Sequence, residues 1–357
     1  MSEGMGENRM YYTKEGYIDV AETLKHDSST FIFMVGARGI GKTFGFLKYV
    51  IDHEMKFIYM RRTQTQIDMI KSAELNPFKS LRSELGDAYS FIMKSVNKNI
   101  TGVYRVVTDE NGIEKPYGPP IGYMLALSTV SNIRGFDASD VDILLYDEFI
   151  SERHEKPIQS EGTAFLNAIE TIGRNRELKG KKPLRVICLS NSSNLANPIF
   201  TELKIITAAE KMLQKKQDMK KIPERDLSLY ILHDSPISKK KSKTSLYKLA
   251  GDDSDFSQMS LKNDFNKEFF GQVKSMSLRE YKPIVHVGEL VIYKHKSALR
   301  WYVSDHISGD PEYYDSSDVE LKRFENDFYY LKTAYLNRHI FFESYIHQVL
   351  FEKYISF

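Results

Sequence analysis

The chain has 357 residues, 41% of them hydrophobic and 27% charged, with a formal net charge of +2. That length favours two domains, and the near-neutral balance does not by itself announce a nucleic-acid binder. The single cysteine, Cys188, excludes an internal disulfide framework and fits a reducing cytoplasm; no apolar run approaches the roughly 20 residues of a membrane span, and the polar opening MSEGMGEN carries no signal pattern.

In chain order, the first two hundred residues alternate short apolar runs with helical or turn segments, the pattern of a parallel α/β sheet. Buried strands are expected at 31–35, 57–60, 123–127, 143–146 and 185–189, their unbroken hydrophobicity suiting strands covered on both faces. Between 88 and 117 the alternation reads as hairpins turning at DENG, an antiparallel insertion in the sheet. Residues 198–225 read as helical and serve as a candidate linker, with Lys211, Lys215, Lys216, Lys220 and Lys221 along it. A Ser/Lys/Asp-rich stretch follows, containing Lys239, Lys240, Lys241 and Lys243. These lysines form either a solvated face or a phosphate-contacting surface. Paired strands are expected at 282–293 and 298–307, around a turn at KHKS. Beyond 319 the aromatics Phe324, Phe328 and Tyr335, with Leu331, are spaced as the core of packed helices.

The sharpest local signal is Gly36-Ala37-Arg38-Gly39-Ile40-Gly41-Lys42-Thr43, which matches G-x-x-x-x-G-K-[ST]. Glycines let successive backbone N–H groups converge on phosphate oxygens, and a helix N-terminus adds its positive end. FIFMV before the loop supplies the strand this motif requires, and TFGFLKYVIDH after it supplies the helix. In that setting Lys42 bridges the terminal phosphates of ATP, and the Thr43 hydroxyl ligates Mg2+.

VDILLYDEFI is an apolar strand ending in Asp147 and Glu148. Asp147 is placed to hold the magnesium opposite Thr43, and Glu148 to polarise the attacking water. Such an ending also occurs as a solvated strand terminus; following a phosphate loop, it points to a hydrolytic NTPase with an additional catalytic glutamate. Strand 185–189 ends in Ser190 and Asn191. The Asn191 amide can contact a γ-phosphate or the lytic water, or can belong to an ordinary Ser/Asn turn. Arg174 and Arg176 lie between these two strands.

Together, FIFMVGARGIGKT, IYMRR at 58–62, LLYDEF at 144–149, GRNRE at 173–177 and ICLSNSSNLANPIF at 187–200 resemble the DNA-packaging ATPase, or encapsidation protein, of short-tailed, protein-primed phages. That family is a compact relative of the large terminase subunits. The resemblance implies a P-loop NTPase of the additional-strand, catalytic-glutamate type over 1–200, a helical linker over 201–227, and a vestigial RNase H-like α+β domain over 228–357. It further implies an ATP-hydrolysing motor that moves double-stranded DNA through a portal into a procapsid. The motor would be a ring of five identical subunits, with a structural packaging RNA as a further partner. It would work in the host cytoplasm at the portal vertex, without a membrane. By the same resemblance Arg174 reaches the neighbouring subunit's ATP, with Arg176 as the alternative finger. Arg134 acts across the interface, and Lys56, Arg61 and Arg62 lie near a region that grips DNA or closes over nucleotide.

A terminase-like nuclease with an accessory ATPase is the main alternative. Its two-metal chemistry needs several converging carboxylates. The expected first strand of that domain offers only His286 and Glu289, and Asp305 and Asp310 have no obvious partners in sequence. Loss of nuclease activity is therefore expected. A small-molecule phosphotransferase would need an acceptor pocket, and the intact Lys42, Thr43, Asp147 and Glu148 argue against a dead binding module.

Overall fold

The computed structural model describes residues 11–355 except 73–74, 134, 137, 152–154, 156–157, 192–194, 196, 233–234, 252–253, 255–256, 258–260 and 262–271. Arg134 and residues 192–194, the SSN after Asn191, thus lie outside the described residues. The chain divides into two compact units, Met1–Leu203 with Met212–Phe265, and Lys204–Lys211 with Asn266–Phe357.

The first unit is built on β1 (Phe31–Gly36), β2 (Phe57–Arg61), β3 (Phe91–Asn97), β4 (Ile100–Thr108), β5 (Glu114–Ala126), β6 (Ile143–Asp147), β7 (Arg185–Asn191), β8 (Met219–Ile222) and β9 (Leu227–Leu232). They form one sheet in the order β3-β4-β5-β2-β6-β7-β1-β9-β8. The stretch from β5 to β9 is parallel throughout, while β3, β4 and β8 add antiparallel pairs at the two edges. The apolar runs become central strands because both their faces are covered. Phe33 turns to one face, where its ring lies 5.6–6.1 Å from those of Phe149, Phe165 and Phe200. Its neighbours Ile32 and Met34 turn to the other, joining Phe46, Leu47 and Val50 of the helix Lys42–Asp52. The expected run 123–127 is the end of the longer β5. The DENG turn is where expected, with the Asp109 carboxylate accepting from the amides of Asn111 and Ile113.

Two expectations are corrected here. Residues 198–225 are not one helix: after Pro198–Glu202 and Ile206–Lys215 the chain turns into β8, so Lys220 and Lys221 sit on an edge strand, where lysines discourage further pairing. The boundaries at 200 and 227 also shift. β9 pairs in parallel with β1 along its whole length and is buried at every residue, so it completes the first unit's sheet instead of opening the second.

The second unit carries β10 (Tyr281–Val287), β11 (Leu290–His295), β12 (Trp301–Ser304), β13 (Glu312–Tyr314) and β14 (Ile340–Phe342), ordered β13-β10-β11-β12-β14. The expected strand 282–293 is in fact a hairpin. Gly288 turns it at φ +54°, where a Cβ would lie 2.5 Å from the Tyr354 hydroxyl. Phe324 and Leu331, on the helices Asp318–Asp327 and Tyr330–Leu336, bury against Val285, Ile292 and Phe342. The aromatic spacing does mark a core, with β14 between its helices. Among the described residues, no helix is long and apolar enough to cross a membrane.

Candidate functional site

Parallel strands end together, so the carboxyl edge of the sheet gathers what their last residues carry. β7 lies between β6 and β1, with Asp147 in register with Leu189 and Gly36 with Asn191. On the other flank of β6 runs β2, ending in Arg61. Residues distant in sequence, namely Gly36, Arg61, Asp147 and Asn191, therefore meet at one edge.

The loop leaving β1 turns through Gly39 and Gly41 at φ +67° and +90°, the left-handed region that glycine enters without strain. Gly41 is the residue before the helix Lys42–Asp52, and a Cβ there would stand 3.2 Å from Tyr17 Cβ. The Lys42 side chain folds back under the loop, 7% exposed. Its Nζ donates to the carbonyls of Gly36 (2.9 Å) and Ala37 (2.8 Å) and to Asn191 Oδ1 (3.3 Å). Burial pushes its pKa down to about 7, against the opposing pull of Asp147.

Thr43 Oγ1 lies 3.1 Å from both carboxylate oxygens of Asp147. Tyr59 donates its hydroxyl to Asp147 Oδ2 at 2.7 Å and accepts from Arg61 Nε at 3.0 Å, since residues two apart on β2 share a face. Arg61 pairs in turn with Glu148 and stands 3.6 Å from Asp147. Glu148 is half-exposed and held at φ +54°, a conformation that costs a non-glycine residue energy and turns the chain sharply away from β6. Arg38, Thr43, Arg61, Asp147, Glu148 and Asn191 line one open cleft of about 490 Å³.

The structure thus brings together the loop 36–43, Asp147, Glu148 and Asn191. Ser190 lines the same cleft, though it is buried and its hydroxyl accepts from the Ile150 amide. Arg174 is elsewhere. It follows the helix Glu161–Gly173 at φ +45° and lines a separate hollow with Thr30, Phe31 and Leu184, at the amino ends of β1 and β7. Arg176 lines the same hollow; it is 8% exposed and donates to the Val141 carbonyl at 2.6 Å, which braces the loop before β6. Arg62, next to Arg61, is fully buried and pairs with Glu161 at 2.7 Å and Glu155 at 2.7 Å. Lys56 precedes β2 and pairs with Asp140 at the strand end remote from the cleft. Tyr59 was missed by sequence reasoning; a tyrosine two residues before Arg61 on a strand ending at the site was its available signal.

In the second unit, His286 lies on β10 and Glu289 in the turn after it. Asp305, exposed after β12, does have neighbours: its ligand atom, that of Glu343 and that of His347 lie within 4.8 Å of one another. Asp310 does not join them.

An open, parallel-rich α/β sheet with a cationic loop and paired carboxylates at its carboxyl edge defines the class. The model of the podovirus DNA encapsidation protein (Gp16) family matches residues 13–280, and the chain belongs to that family. It is similar to the DNA packaging protein of Bacillus phage phi29, 27% identical over 264 residues that make up 72% of this chain and 69% of that one. It is similar also to the DNA packaging protein of Bacillus phage PZA, 28% identical over 239 residues, 65% of this chain and 61% of that one. Among solved structures, its fold is similar to the bacteriophage Phi-29 viral genome packaging motor assembly, with TM-score 0.63, 17% identity, and 95% and 98% of the two chains covered. The Phi-28 gp11 DNA packaging motor is similar at TM-score 0.61 and 19% identity, with 94% and 97% covered. At these identities the likeness to the solved structures is one of fold.

Proposed function

We propose that the chain is the ATP-hydrolysing subunit of a phage motor that drives double-stranded DNA through a portal into a procapsid. The observation that carries this is the Thr43 hydroxyl at 3.1 Å from both Asp147 oxygens, beside a lysine buried under a glycine-rich loop. The donor set fits the expected ligands: a hydroxyl and a carboxylate are hard oxygen ligands for magnesium, and the loop presents main-chain N–H groups to phosphate. Thr43 and Asp147 would hold the ion, which when bound neutralises charge on the phosphate oxygens.

Lys42 binds the terminal phosphates of ATP, and the amides of residues 36–43 orient them. Tyr59 fixes one Asp147 oxygen, so the carboxylate keeps its direction. Glu148 accepts the proton of the attacking water or orients it, once Arg61 yields it. Asn191, already bonded to Lys42, is placed to report the presence of the γ-phosphate. The working form is a ring of subunits, five in number, on the portal in the host cytoplasm, joined by a structural packaging RNA.

The second unit is a vestigial RNase H-like domain. Strand β10 has no aspartate, which supports loss of the nuclease activity. The meeting of Asp305, Glu343 and His347 is the one observation that favours the nuclease alternative. Manganese-dependent nicking of supercoiled plasmid, abolished by Asp305→Ala, would establish it; intact plasmid is expected.

The main test is steady-state ATP turnover with and without duplex DNA and empty procapsids. Turnover should rise when both are present. Glu148→Gln should still bind ATP while turnover falls by about 10²-fold or more. Turnover unchanged in Glu148→Gln, or indifferent to DNA and procapsid, would refute the reading.

A further inference from the structure

Lys241 ends the short helix Pro236–Lys241, in the segment that follows β9. Of the lysine run there, Lys239 and Lys240 are exposed, and Lys240 turns to the Glu15 carbonyl. Lys241 alone turns to the phosphate loop. Its ammonium donates to the Arg38 carbonyl, and a Cβ built on Gly39 would lie 2.9 Å from its Nζ. The loop's left-handed turn at Gly39 therefore leaves the space this ammonium occupies.

The placement is held from several sides. Ser235 Oγ donates to the Gly16 carbonyl at 3.0 Å, as does the Ile237 amide at 3.3 Å. Gly16 lies two residues before Ile18, whose amide donates to the Ile40 carbonyl of the loop itself. On its other flank the Lys241 ammonium stands 5.7 Å from the centre of the Tyr247 ring. The lysine is thus seated against the loop by two anchors on the segment around Gly16 and by an aromatic face.

We infer that Lys241 is a further ligand of the nucleotide's phosphates, delivered to the loop by a segment distant in sequence from the glycine-rich motif. The inference rests on the reading that residues 36–43 hold those phosphates. Three cations, Arg38, Lys42 and Lys241, converge on this loop closely enough to act on one another's charge. Like charges brought together in a half-buried place repel, and a polyphosphate offsets that repulsion as no neutral ligand can. An ammonium has three N–H donors, and the Arg38 carbonyl takes one, so Lys241 can add a phosphate oxygen by pivoting on the contact it already makes.

The test compares the affinity of the full chain for magnesium-ATP and for AMP. Lys241→Ala and Lys241→Gln should weaken ATP binding about ten-fold or more and AMP binding far less, since a charge-assisted hydrogen bond to phosphate is lost. Lys241→Arg should retain most of the affinity, and Lys239→Ala all of it. On the unsubstituted protein, magnesium-ATP should slow acetylation of Lys241 more than AMP does, read by peptide mass spectrometry, which covers the event that a variant misfolds. If Lys42→Ala binds ATP as the unsubstituted chain does, the loop reading fails and this inference with it. If Lys42 matters while Lys241→Ala keeps full affinity and ATP leaves the acetylation rate unchanged, this inference alone is overturned, and Lys241 is a staple on the loop.

Discussion

Under the proposed function, the Lys42 amine sits in a place that suits its charge once phosphate is bound. With 7% exposure, burial lowers its pKa to about 7, against the pull of Asp147, so its charge becomes sensitive to pH near neutrality. A bound polyphosphate favours the protonated form and raises that pKa. The sign follows directly. Below about pH 7 the amine is protonated with or without ligand, and affinity is at its plateau; above it, binding must take up a proton, and affinity falls by up to about ten-fold per pH unit. Titration calorimetry in two buffers of unequal ionisation heat should show proton uptake above neutrality and none in Lys42→Met. An affinity flat from about pH 6 to about pH 9 would contradict this account of the burial. At this scale the sequence was legible where the candidate residues are contiguous: residues 36–43 and the pair 147–148 stand out in it, and the fold brings them to one cleft. It was mute where a role depends on a remote partner. Nothing local distinguishes Arg61, which faces the carboxylates, from Arg62, which is sealed between Glu155 and Glu161.

Among elements, β9 shows why the sheet was only partly legible. LSLYIL reads equally well as the first strand of a new domain, because an apolar run does not say which sheet it joins. The long-range pairing with β1 decides it, together with a buried bond between the hydroxyls of Ser29 and Ser228. β8 was hidden for a related reason: MKKI is too short and too basic to stand out beside the helix before it. The hairpin β10–β11 was merged into one strand because a single glycine carries the turn. The placement of β9 has a measurable consequence. A fragment ending before Leu227 leaves one side of β1 unpaired and loses the burial of Leu227, Leu229, Tyr230, Ile231 and Leu232. Each such side chain contributes about 1.5–3 kcal/mol, so that fragment should melt at least about 10 °C below one continuing to Ala250. Equal melting midpoints in thermal denaturation would show that β9 is not integral to the unit.

For the whole molecule, the informative residue is the one the fold keeps out of the cleft. Asp147 and Glu148 lie at the carboxyl ends of the parallel strands, whereas Arg174 lies among residues that begin them. The sheet separates the two, so under the proposed function Arg174 lies away from the nucleotide of its own subunit, and any service it gives goes to a neighbour's. A closed ring of head-to-tail contacts meets this condition, since it sets one face of each subunit against a different face of the next. Glu148→Gln and Arg174→Ala should each be inactive alone: the first keeps its arginine, the second its glutamate. Mixed in equal amounts and assembled on procapsids, they form interfaces at random. About a quarter of those interfaces pair an intact Glu148 with an intact Arg174 from the next subunit, so up to about that fraction of ATP turnover should return. An arginine acting within its own chain gives no recovery at any mixing ratio, because neither variant then holds both groups at one site.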